Sequence, residues 1–228
     1  MTHEQAPEPL LRPSSWLADG PLDGQRLAWH RLSASLRQIN EALMDMDATE
    51  ADLLAAAERA ELFAANLETT RKGRQHWGFA ESSVAGTPRG MLDRSPIIGL
   101  GNPVAPPLTF AVEGDHVVGR GSFGLQYEGP PGCVHGGFVA AAFDEVLGMA
   151  QSLTGKPGMT GTLTVRYRQP TPLHQDLRFV ARVDRVEGRK IFASSTLHHG
   201  ETLCAESEGI FVSTDFEKFA RLQAEARP

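Results

Sequence analysis

The alternation of apolar and polar positions changes character near residue 90. Before it, Leu27, Leu32, Leu36, Ile39, Leu43 and Met46 recur at steps of three to five, the spacing of one face of a helix. A second helix is predicted from Glu50 to Leu67, where Ala, Glu and Leu dominate and Thr49 can cap the first turn. Residues 1–24 and 70–108 are broken by Gly, Pro and Ser and read as irregular. A connection as long as the second is usually functional or draped over another surface. After Pro107 the period becomes two. Leu108 to Glu113 and His116 to Phe123 read as a hairpin turning at Gly114-Asp115. Residues 160–168 set Leu163, Val165 and Tyr167 against Thr162, Thr164 and Arg166 on the opposite face. Residues 176–186, 190–198 and 202–213 continue the strands, with turns at Gly188 and Gly200-Glu201.

Between the two groups of strands lies one helix, from about Gly136 to Leu153, apolar on nearly every side. Such a helix must be buried. The later strands are joined by links too short for parallel crossovers, which implies an antiparallel meander. The pattern predicts an α+β architecture, an antiparallel sheet wrapped around a long central helix, with a helical extension before it. The expected division is an arm and helical extension over 1–90, a compact unit over 91–214 and a tail over 215–228.

Composition narrows the function more by exclusion than by indication. With 22 Lys and Arg against 28 Asp and Glu, the formal net charge is -6, so no basic field recommends a nucleic-acid partner. Two cysteines, Cys133 and Cys204, are too few for a disulfide scaffold and fit a reducing compartment. No secretory leader and no membrane-spanning run is apparent, so the expectation is a soluble cytoplasmic protein. Gly119-Arg120-Gly121-Ser122-Phe123-Gly124 matches a dinucleotide fingerprint, but a strand-like, Pro-rich stretch follows it rather than a helix. His198-His199 lack a carboxylate or thiol at ligand spacing, and no metal site is expected.

The chemistry concentrates in residues 132–144, Gly-Cys-Val-His-Gly-Gly-Phe-Val-Ala-Ala-Ala-Phe-Asp. A glycine pair at a helix start leaves bare backbone N–H groups where the helix dipole favours developing negative charge. Asp144, set among alanines, Phe143 and Val146, is an acid in an apolar setting that is unfavourable without a purpose. An anion site and a base on one element point to acyl transfer or hydrolysis. Cys133 reads as a packing residue, and Glu145 as the surface acid of the pair.

The run Gly129-Pro130-Pro131-Gly132-Cys133-Val134-His135-Gly136-Gly137 with Asp144 resembles the hotdog-fold acyl-CoA thioesterases of the PaaI-like thioesterase superfamily. Met159-Thr160, the stretch Val165 to Pro172 and Val186 to Lys190 extend that resemblance, which covers roughly residues 100 to 213. It implies a hydrolase that cleaves acyl-CoA to free acid and CoA without cofactor, in lipid metabolism. The N–H of Gly136, at the helix start shared with Gly137, would bind the thioester oxygen. Such a donor is typically worth about 2.7–4 kcal/mol in the transition state. Asp144 would activate water or attack directly, Thr160 would hold the water, and His135 would orient the turn. Arg189 and Lys190 would meet the coenzyme A phosphates. One departure stands out: Glu128-Gly129-Pro130-Pro131 offers no Asn or Gln as a second carbonyl donor.

Spacing adds a conclusion about assembly. Gly136 and Asp144 are eight residues apart, about 12 Å of helix rise. A carbonyl held at one end cannot also lie within about 3.5 Å of a base at the other. If both act on one thioester they come from different subunits, which predicts a homodimer or a dimer of dimers. Two rivals share the fold: an acyl-CoA hydratase or dehydratase, and a non-catalytic acyl-CoA-binding module.

Overall fold

A computed structural model describes residues 24–71, 93–156 and 158–213. In chain order these form helices α1 (Gly24–Met44) and α2 (Glu50–Glu68), strands β1 (Thr109–Glu113) and β2 (His116–Gly121), and a 3-10 turn (Leu125–Tyr127). Helix α3 (Gly136–Ser152) follows, then strands β3 (Gly158–Tyr167), β4 (Leu177–Glu187), β5 (Lys190–His199) and β6 (Thr202–Ser213). The arm expected over 1–24, save its last residue, the tail expected over 215–228 and most of the first half of the long connection lie outside the described residues.

Six strands make one antiparallel sheet in the order β1-β2-β4-β5-β6-β3. The β4–β5 and β5–β6 hairpins turn at Gly188 and Gly200, whose φ values of 58° and 55° lie where a Cβ is strained. The sheet curls around α3, as the hotdog expectation required. Phe143, Val146 and Leu147 of α3 are fully buried against Phe179, Ile191 and Phe211 of the sheet. Phe143 meets Phe179 edge to face, ring centroids 5.5 Å apart at 84°. Truncating a ring so enclosed typically costs about 3–5 kcal/mol. The described part of the irregular connection closes the remaining side. Ile98, Ala105 and Leu108 are buried there, and the Tyr127 hydroxyl donates to Val104 O at 3.0 Å.

The helical extension docks chiefly through polar side chains. Of the periodic apolar residues in α1, Leu27, Ile39 and Leu43 are exposed and Leu32 and Leu36 half-buried, and the only buried residue of the helix is Ser33. The docked face is polar: Arg26, His30, Ser33, Arg37 and Glu41, which share one side at steps of three and four. Arg26 and His30 both reach Asp93, at 2.6 and 2.8 Å. Ser33 donates to Gly101 O at 2.8 Å, Arg37 donates to Leu100 O and Asn102 O, and Glu41 accepts from Leu125 N. Periodicity located the helix; hydrogen-bonding demand of the irregular connection chose its face. Thr49 caps α2 as expected, accepting from Asp52 N, and no residue of α2 is buried. Among the described residues no helix is long and apolar enough to cross a membrane.

Candidate active site

The site is built on the start of α3. The chain turns there because His135, with extended backbone, acts as N-cap, and its ring Nδ1 accepts from Gly137 N at 3.0 Å. An accepting Nδ1 carries no proton, which assigns the neutral imidazole proton to Nε2. The surrounding N–H groups are used as well: Val134 N donates to Thr171 O, His135 N to Tyr127 O, and Phe138 N to His135 O. Among the described residues no acceptor lies on the N–H of Gly136. The first helical residue therefore keeps a free donor at the positive end of the helix, while that of Gly137 is taken by His135.

This donor opens into a cleft of about 650 Å³ lined by Pro130, Cys133, Gly136, Val139, Tyr167 and Gln169, among others. Glu128, from the stretch that lacks Asn and Gln, turns away to accept from Gly132 N at 2.6 Å. Strand alternation puts Tyr167 on the apolar face, and no local pattern points it to the glycine turn. Its hydroxyl donates to Gly136 O at 2.7 Å. A Cβ built on Gly136 would stand 3.2 Å from that hydroxyl oxygen, so a larger residue here would crowd the pairing.

Two turns along α3, Asp144 is half-buried and accepts from the Thr160 hydroxyl at 2.8 Å, Oγ1 to Oδ1. Strict alternation would have put Thr160 with Thr162 and Thr164, facing away from the helix. A β-bulge resolves this. Thr160 pairs with Phe211 and Thr162 with Ile210, leaving Gly161 as the extra residue. One inserted residue reverses the facing of everything before it, and Thr160 turns inward to Asp144.

Glu145 corrects the sequence reading of a surface acid. It is largely buried, and its carboxyl is pushed up by that burial, an effect partly offset by the hydroxyl of Ser95 and reinforced by Asp144. The Ser95 hydroxyl donates to it at 3.1 Å. Arg189 lies in the β4–β5 turn and holds Ser213 O at 3.1 and 3.0 Å, while Lys190 beside it is exposed. Arg166 pairs with Glu208 at 2.7 Å, and Arg168 pairs with Glu206. His198 and His199 end β5 instead of sitting on a turn. Cys133 is half-buried beside the cleft, Cys204 is buried with its thiol pushed up by that burial, and neither is in a disulfide. Among the described residues no three His, Cys, Asp or Glu side chains stand together as a metal set.

The geometry has counterparts. The thioesterase superfamily model matches residues 131–206, the stretch from the glycine turn to β6. An acyl-coenzyme A thioesterase THEM4 of Bos taurus is 36% identical over 97 residues, 42% of this chain and 40% of that protein. THEM5 of Homo sapiens, also named an acyl-coenzyme A thioesterase, is 31% identical over 97 residues. The matched stretch thus spans about two fifths of these curated relatives. A crystal structure of a thioesterase superfamily protein superposes with a TM-score of 0.74 at 31% identity, covering 85% of this chain and 97% of the other. That match takes in nearly the whole of the second protein and much of the extension here. The chain belongs to the thioesterase superfamily.

Proposed function

We propose that the protein hydrolyses the thioester of acyl-CoA, releasing a free acid and CoA. One observation carries the reading: an unclaimed N–H at the start of α3 together with a carboxylate, Asp144, held by the Thr160 hydroxyl. The thioester oxygen sits on the Gly136 N–H, where charge developing in the transition state meets the helix dipole. Thr160 occupies Oδ1 of Asp144, which leaves Oδ2 to take a proton from water as its oxygen attacks the carbonyl carbon. The C–S bond then breaks, and the CoA thiolate leaves and is protonated. His135 shapes the turn and is not the base, because its Nδ1 already accepts from Gly137. Arg189 and Lys190 remain the proposed contacts for the CoA phosphates.

The two halves belong to different subunits in this reading. β3 is an edge strand, with Met159 and Tyr167 exposed near its two ends. An unpaired edge invites a second chain. Two β3 edges joined antiparallel about a two-fold axis lay the Tyr167 end of one chain against the Thr160 end of the other. That brings Gly136 of one copy toward Asp144 of its mate and makes two equivalent sites per homodimer. The 91–214 stretch is the catalytic unit on this view.

Thiol release from a panel of acyl-CoAs, by wild type and by Asp144→Asn, tests the activity. Turnover by wild type that falls about a thousandfold in the variant is expected. Tight acyl-CoA binding with no thiol release from any substrate would replace the hydrolase with an acyl-CoA-binding module.

A further inference from the structure

We propose that Tyr167 is a positioning residue for the hydrolysis, holding Gly136 of its own chain in the donating geometry and so governing the site that Asp144 of a second copy completes. The proposal rests on the reading of Gly136 as the thioester oxygen's donor. A Gly-Gly helix start has more backbone freedom than any other pair, and a donor that wanders loses the benefit of being prepared before charge develops.

Two peptide planes meet at the Gly136 Cα, and both must be held to fix the direction of its N–H. The plane before it is pinned through the His135 carbonyl, which accepts from Phe138 N at 2.9 Å and Val139 N at 3.3 Å. The plane after it is pinned at both ends. The Gly137 N–H is held by His135 Nδ1, and the Gly136 carbonyl by the Tyr167 hydroxyl at 2.7 Å. His135 and Tyr167 share that second plane, but only Tyr167 reaches it from outside the turn. It is anchored as the last residue of β3, paired with Ala205. A side chain at 136, which would stiffen the turn directly, would stand 3.2 Å from the same hydroxyl and crowd it.

The placement on β3 gives the idea its reach. Thr160 and Tyr167 lie on one strand and hold the two functional points of one helix, Asp144 and Gly136. When sites are shared between subunits, these two contacts serve different sites. Tyr167 therefore acts in one site and Thr160 of the same chain in the other.

Tyr167→Phe removes the hydroxyl and keeps the ring. In the homodimer kcat should fall about tenfold, the worth of one hydrogen bond, with KM within about twofold because the lost contact matters most in the transition state. An unchanged kcat, or a change confined to KM, overturns the proposal. Differently tagged chains purified as heterodimers then locate the effect. Tyr167→Phe paired with Asp144→Asn should keep one intact site and about half of wild-type kcat, which also demonstrates that the Tyr167→Phe chain folds. Placing both substitutions in one chain and pairing it with wild type should leave only a slow site, near a twentieth of wild-type kcat. The reversed pattern would overturn the cross-subunit assignment of Tyr167, since a site confined to one subunit predicts it. Loss of activity in Asp144→Asn homodimers is the separate control for the hydrolase reading itself.

Discussion

At the scale of single residues, Glu145 and Asp144 show how neighbours in sequence acquire opposite roles from the directions in which they point. Asp144 looks toward β3 and meets a hydroxyl; Glu145 looks toward the irregular connection and is largely buried there. Burial raises the Glu145 carboxyl, so the sign of its effect on stability follows. Below about pH 4, near the ordinary glutamate value, both folded and unfolded chains carry the proton and nothing is lost. As pH rises, the unfolded chain ionises first, and stability drains away until the folded carboxyl also ionises. Glu145→Gln keeps an acceptor for Ser95 and cannot ionise. Its melting temperature should exceed that of wild type at about pH 7.5, with the advantage gone near pH 4. A gap that stays constant across that range would show that the carboxyl does not titrate against a buried setting.

Among the elements, most of what the sequence pattern predicted is present within a few residues. The second helix with its Thr49 cap, the Gly114 hairpin, the buried helix from Gly136 and the three-strand meander all follow from periodicity and turn chemistry. Three features were not legible. The bulge at Gly161 was hidden because a two-residue period, once interrupted, reads as continuous to either side. The Tyr167 contact was hidden because it joins residues 31 apart in sequence, beyond any local pattern. The docked face of α1 was hidden because its polar contacts are carbonyl groups and Asp93 of a distant loop. The bulge has a sharp consequence for chemistry. Because it aims Thr160 at Asp144, Thr160→Val, which keeps the β-branched shape and removes the hydroxyl, should lower thioester hydrolysis about tenfold while circular dichroism stays that of a folded sheet. Full activity in the folded variant would mean that the Thr160 hydroxyl is dispensable.

For the whole molecule, the curled sheet and its helix form one body, and α1 is fastened to that body at Asp93 and residues 100–102. Asp93 is the hub. Its side chain is 7% exposed and receives both Arg26 and His30. Asp93→Ala leaves two donors without their shared carboxylate and should reduce stability by about 1–3 kcal/mol, read by urea titration. Cleavage within 24–44 by a dilute protease should accelerate at the same time. An unchanged urea midpoint would show that the rest of the polar stripe holds the helix without Asp93.

The polar fastening of α1 also gives the protein two seals of different temper. The sheet closes on α3 through oil, and that seal slackens in the cold, since the hydrophobic driving force weakens on cooling. The helix closes on Asp93 through charge, and that seal answers to ionic strength, which screens partly exposed groups such as Arg26 more than enclosed ones. The Trp29 ring, which packs beside Gly101 and under Arg94, adds an apolar and cation–π part to the same fastening. Salt therefore loosens the charged part of that fastening and leaves the buried contacts of α3 with the sheet as they are.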